Sequence, residues 1–222
     1  ETQGWERPGW YAPEGVAPQY EYSFGRQNWF EYALEEQRAA RERVAIVDYS
    51  MLGKISVEGS GAEAFLQRVC TNNVAMSCGR IAYTLLLNER GGIESDVTVA
   101  RYANDRYMVM SSIARTRRDY LWLASLIEPD EQVRLRDETA SLGVLGVMGP
   151  QSRALMAAVT ELDVSNEAFP FNRFYDCHIG HAKVTAQRLS YSGELGWEIM
   201  VTPDFAEHVL DRLLSAGAPL GV

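Results

Sequence analysis

Tyr83-Thr84-Leu85-Leu86-Leu87-Asn88-Glu89-Arg90-Gly91-Gly92-Ile93-Glu94-Ser95-Asp96-Val97-Thr98-Val99 reads as a β-hairpin. Tyr83 to Asn88 is an apolar run of strand length. Glu89-Arg90-Gly91-Gly92 is a turn, with two glycines able to take positive φ. From Ile93 the pattern alternates. Ile93, Ser95, Val97 and Val99 face one way, and Glu94, Asp96 and Thr98 the other. Aspartate is depleted in strands, and a buried one must find partners or shift its pKa. Asp96 is therefore either on a solvated strand face or a carboxylate held on a rigid sheet at a pocket wall.

The surrounding chain sets the class. Its 222 residues are 46% hydrophobic, enough for one large domain or two small ones. The net charge of −9 argues against nucleic acid, whose partners are normally basic. No apolar run reaches membrane-spanning length. The start at Glu1 carries no basic segment followed by an apolar one, so no signal peptide is read there. Cys70, Cys78 and Cys177 are odd in number and lack metal spacing, which points to free thiols in a reducing compartment.

Residues 1–25 are rich in aromatics, glycine and proline without a period, and read as a connector lying on a surface through its rings. Asn28 to Val44 reads as an amphipathic helix with Asn28 as N-cap; Phe30, Ala33, Leu34, Gln37, Ala40 and Val44 make the packing face. Strands follow at 44–48 and 54–58. Gly59-Ser60-Gly61-Ala62-Glu63-Ala64 matches a dinucleotide-binding pattern, but helix 62–69 runs into a polar loop where a parallel unit needs a strand. A plain strand-to-helix turn accounts for it better. Further strands are expected at 106–111, 132–138, 142–148, 183–191 and 197–201, and helices at 115–127, from Pro150 to 159, and 205–214. Strands outnumber helices and do not alternate strictly with them. The fold class is α+β, with mixed, largely antiparallel sheets and packed helices.

Few residues carry obvious chemistry. His178 and His181 have H-x-x-H spacing, but their surroundings read as strand and turn, no third ligand is evident, and no metal site is assigned. Cys177 and His178 are strand neighbours pointing to opposite faces, which disfavours a nucleophile–base pair. Arg188-Leu189-Ser190-Tyr191-Ser192-Gly193-Glu194-Leu195-Gly196-Trp197-Glu198 places two carboxylates and a tyrosine around a glycine turn. It is either an ordinary hairpin with wet acids or a planar acceptor surface. A fixed carboxylate accepts two parallel N–H bonds from an amidine-like or guanidine-like edge.

At these residues the chain resembles the folate-binding domain of the glycine-cleavage T-protein (aminomethyltransferase) family. Within it, the chain is most similar to the C-terminal half of the flavin-dependent dimethylglycine and sarcosine dehydrogenases. The G-G-I-x-x-D hairpin and the Y-x-G-E-x-G-x-E turn belong to the wider family. Trp5-Glu6-Arg7-Pro8 and Ser165-Asn166-Glu167-Ala168-Phe169-Pro170-Phe171 point to the dehydrogenase branch.

The resemblance implies a T-protein-like fold that binds tetrahydrofolate and passes a one-carbon unit to it. Asp96 matches the catalytic carboxylate beside the reacting pterin nitrogens, and Tyr83 an aromatic of the same pocket. Tyr191 and Glu198 match pterin contacts, and Glu194 is the other turn acid. FAD would lie in a domain preceding a 1–25 connector, with residues 26–222 an incomplete folate domain, truncated at the C-terminus. The parent would oxidise an N-methylglycine to an iminium, captured here as 5,10-methylene-tetrahydrofolate. Its place would be the cytoplasm of a bacterium or the mitochondrial matrix of a eukaryote. The competing readings are a stand-alone aminomethyltransferase and a non-catalytic regulatory relative.

Overall fold

The computed structural model describes residues 4, 6 and 8–222. Trp5 and Arg7 of the connector lie outside the described residues, as do the first three. Within the connector, Trp10 stacks on Tyr32 at 5.5 Å, so at least one ring serves packing. Helix α1 (Phe30–Glu42) follows. Asn28 is not its cap. Its side chain accepts from Glu21 N and donates to Gln19 O, holding the connector instead. The residue at the helix face that is fully covered is Ala39, while Gln37 is exposed.

Among the described residues, ten strands form two five-stranded sheets. The first runs in the order β1 (Ala45–Asp48), β7 (Gly143–Met148), β10 (Gly196–Val201), β9 (Ala182–Gln187), β8 (Phe174–Ile179). The second runs β3 (Ile81–Leu87), β4 (Ile93–Ala103), β5 (Arg106–Ser111), β2 (Gly53–Glu58), β6 (Arg134–Asp137). Every pairing is antiparallel. The α+β class is therefore as expected. Strand β9 ends at Gln187, four residues short of the expected Tyr191, because residues 188–195 turn away before β10. Because β2 is flanked by antiparallel β5 and β6, Gly59-Ser60-Gly61 opens no parallel unit. Gly59 has φ +125°, and a Cβ there would collide with the Gln132 carbonyl. The glycine serves a close backbone approach.

Alternation along each strand sorts the core into three layers. Phe65 and Leu66 of α2 (Ala62–Val69) and Leu123 of α3 (Thr116–Ser125) cover the outer face of the second sheet, against Ile55, Val57, Val97 and Val99. Leu155 and Met156 of α4 (Ser152–Val159) and Val209 and Leu213 of α5 (Pro203–Gly217) cover the outer face of the first, against Val147, Trp197 and Ile199. Burying each such side chain stabilises by about 1.5–3 kcal/mol. Between the sheets lie Ile81, Ala100, Met108 and Met110 from one and Val144, Phe174 and Met200 from the other. Backbone bonds stitch the sheets at one edge, Ile81 N to Asn172 O and Phe174 N to Gly79 O, both 2.9 Å. The β1–β2 crossover, residues 49–52, joins them elsewhere, with Tyr49 N bonded to Val144 O at 2.8 Å.

Candidate functional site

The same parity places the candidate acids. On β4, Asp96 shares its side with Ala100, so it lies on the face turned to the other sheet. On β3, Tyr83 shares its side with Ile81. On β10, Glu198 shares its side with Met200, while neighbouring Trp197 points outward to the helices. The two carboxylates thus face the inter-sheet space from opposite sheets.

The hairpin that carries Asp96 is tightly fixed. Asn88 organises its turn: Gly91 N donates to Asn88 O, and Arg90 N and Gly92 N donate to Asn88 Oδ1. Only Gly91 takes positive φ, +77°; Gly92 does not. Arg118 pairs with Glu94, and Asn88 Nδ2 donates to Glu94 Oε1 at 2.9 Å. Behind the strand, Asp119 of α3 is 2% exposed and accepts from Ser95 Oγ at 2.7 Å and from Ser111 Oγ. Asp96 itself is exposed. The Tyr83 hydroxyl donates to its Oδ2 at 3.2 Å, and burial and the Asp96 charge push the Tyr83 phenol upward.

The Glu198 side differs. Glu198 is 7% exposed, and burial pushes its pKa to about 7, a rise that the charge of Lys54 opposes. Among the described residues none donates a hydrogen bond to its carboxylate. Lys54, fully buried on the inner side of β2, donates to Ser50 O and Leu52 O, each 2.8 Å, and burial lowers its pKa to about 8. Tyr49 of the crossover is pushed up by burial and by the charges of Glu198 and Tyr191, which puts Tyr191 beside this group although it is 89% exposed. Glu194 is turned elsewhere: it pairs with Arg41 of α1. The structure therefore brings together Tyr83 with Asp96 through a hydrogen bond, and puts Tyr49 and Lys54 within electrostatic reach of Glu198. It does not bring Glu194 to them.

Lys54, Tyr49 and Asp119 were not among the candidates from sequence. The legible signal was Lys54 itself, a charge at an inward position of the apolar run Lys54-Ile55-Ser56-Val57. Two surface clefts lie away from the acids. One, of about 490 Å³, is lined by Met51, Thr116, Arg117 and Asp137. The other, of about 600 Å³, borders Gly59, Arg106 and Arg134. His178 and His181 do not converge; His181 stacks on His208 of α5, ring centres 3.8 Å apart.

An unbonded buried carboxylate opposite a second acid is suited to a ligand that presents N–H groups to one side and a basic atom to the other. Known proteins share this framework. The solved aminomethyltransferase T of the Bartonella henselae glycine cleavage system superposes with a TM-score of 0.72 over 88% of this chain and 53% of that one, at 23% identity, which speaks to fold. Among curated proteins, 4-methylaminobutanoate oxidase (formaldehyde-forming) of Paenarthrobacter nicotinovorans is 36% identical over the whole chain and 27% of its own length. Mitochondrial dimethylglycine dehydrogenase of Rattus norvegicus is 31% identical over 99% of the chain and 26% of its length. The chain spans about a quarter of the length of these relatives. An aminomethyltransferase of Chloroherpeton thalassium is 33% identical over 85% of the chain. The family model described as the GCVT N-terminal domain matches residues 1–222, and the chain belongs to that family.

Proposed function

We propose that the surface around Asp96 and Glu198, beyond the packed inter-sheet core, binds tetrahydrofolate and serves one-carbon transfer to it, within a longer FAD-dependent enzyme that oxidises an N-methylated amino acid. The observation that carries this is Glu198, a buried carboxylate that accepts no hydrogen bond among the described residues. A pterin edge, with its exocyclic amine and ring N–H, supplies the donors it lacks. Tyr191, exposed and within electrostatic reach of Tyr49, offers a ring face. Bound there, the reduced folate supplies the nitrogens that take up the one-carbon unit. Asp96, wet and hydrogen-bonded to the Tyr83 hydroxyl, is the group that holds and moves a proton at those nitrogens.

Sequence kinship supports the dehydrogenase and oxidase setting. Those relatives align over 99–100% of the chain, and the aminomethyltransferase over 85%. A stand-alone aminomethyltransferase is the second reading. The 36% identity to an oxidase named for 4-methylaminobutanoate widens the amine from dimethylglycine or sarcosine to N-methylamino acids as a class. Calorimetric titration with tetrahydrofolate tests the folate reading; a saturable heat of binding is expected. Absence of any saturable response would refute it. Amine oxidation by the longer protein, with the methylene recovered on folate, tests the setting.

A further inference from the structure

The outer face of the first sheet carries a cluster that the folate reading does not use. Arg153, in the first turn of α4, and Arg188, just past β9, both stand over the ring of Trp197, at 5.5 and 5.7 Å. Both donate to a single atom, Asn166 Oδ1, at 2.8 and 2.7 Å. Two cations on one acceptor fix that atom as the oxygen, since an NH₂ could accept neither. Arg188 also donates to Phe169 O at 2.5 Å.

This arrangement has too few acceptors. Arg153 Nη1, Arg188 Nε and Trp197 Nε1 are buried without a partner among the described residues, and Trp197 is fully buried. The nearby acids feel these charges, Asp163 that of Arg153 and Glu167 that of Arg188, but among the described residues neither forms an ion pair with them. The first turn of α4 carries no acidic residue, although a helix N-terminus favours negative charge. Burial and the charge of Arg153 lower the pKa of Arg188, the signature of a cation missing its anion. Asn166 and Glu167, which cover the cluster, are exposed.

We propose that Arg153, Arg188 and the indole N–H of Trp197, gated by the Asn166 loop, form a binding site for one oxyanion group, a carboxylate or a phosphate. The anion takes the acceptor position that Asn166 Oδ1 now fills and satisfies the three unpartnered donors by charge-assisted bonds. It lies on the opposite face of β10 from Glu198, so it is separate from the proposed folate surface.

The test uses inorganic phosphate and acetate as probes, with chloride at equal ionic strength as the reference. The readout is the indole N–H resonance of Trp197, identified by its loss in Trp197→Phe. Either probe should move that resonance saturably, and the tighter of the two identifies the class of the natural group. Arg153→Gln should weaken the response at least tenfold, while its melting temperature in chloride stays at or above that of the parent, because a like-charge contact is relieved. Glu167→Gln should keep the response. No saturable movement beyond that in chloride overturns the site. So does an Arg153→Gln variant that is destabilised while responding to phosphate as the parent does, for Arg153 would then be only structural.

Discussion

Asp96 and Glu198 sit on facing strands of two similar sheets, yet their surroundings are opposite. Asp96 is exposed, its strand clamped by Asp119 and Arg118, and among the described residues its hydrogen-bond partner is the Tyr83 hydroxyl. Glu198 is buried, accepts no hydrogen bond among the described residues, and has a pKa near 7 beside a lysine near 8. A wet acid on a rigid strand exchanges protons at little cost. A largely buried acid without a hydrogen-bond donor is under electrostatic stress that a donor ligand relieves. The contrast is what the proposed division of roles rests on, with proton handling at Asp96 and holding of the ligand at Glu198.

The largest effect should fall on transfer. Asp96→Asn keeps size and some hydrogen bonding but takes no proton, and general acid–base catalysis contributes about 10²–10⁴-fold. In the longer enzyme, methylene transfer to folate should fall by that order while folate affinity changes little. Amine oxidation should persist, with formaldehyde released. A variant with undiminished yield of methylene-tetrahydrofolate would remove Asp96 from its role.

The second effect is on stability against pH. In the unliganded fold Glu198 binds its proton more tightly than its ordinary value of 4.5. Its contribution to stability is present below pH 4.5 and is lost as pH rises through about 7. Glu198→Gln removes that loss. Above pH 7 the variant should be more stable than the parent by on the order of 3 kcal/mol, with a smaller difference near pH 5. Urea midpoints at the two pH values measure it; equal differences at both would show that Glu198 is not stressed.

The smallest effect belongs to Lys54. Lys54→Met removes the cation that restrains the rise of Glu198, so Glu198 should hold its proton above pH 7. One pKa unit costs about 1.4 kcal/mol, so folate affinity at pH 7 should drop by up to about tenfold and recover at pH 9. Circular dichroism checks the fold. A loss that persists unchanged at high pH would mean that Lys54 acts on the crossover backbone through Ser50 O and Leu52 O rather than on Glu198.

Much of this was legible in the sequence, for local reasons. The period-2 pattern Ser95, Val97, Val99 put Asp96 on the face of β4 away from those residues, and the structure shows that this face is turned to the other sheet. Other features needed the third dimension. Asn28 has the right type and place for a cap, but its amide is engaged by Gln19 and Glu21 of the connector. Lys54 opens an apolar strand run, but what holds its ammonium in the interior, two carbonyls of the crossover, shows only in the structure. Glu194 and Glu198 lie four residues apart in one motif, and composition does not separate them. The backbone does: residues 191–195 are outside the strand, and β10 begins at Gly196 and turns Glu198 inward.

That last separation gives the most direct measurement. Tetrahydrofolate is titrated into the parent, Glu198→Ala, Glu198→Gln and Glu194→Ala, each checked for folding. Hydrogen bonds to a charged group are worth roughly 1.5–3 kcal/mol. At about 1.4 kcal/mol per decade, Glu198→Ala should weaken binding by roughly ten- to a hundredfold. Glu198→Gln should also weaken it, because one of its two acceptors becomes a donor. Glu194→Ala, which loses only an exposed pair with Arg41, should bind nearly as the parent does. Parent-like binding by Glu198→Gln together with weak binding by Glu194→Ala would contradict the account and move the ligand to the other acid.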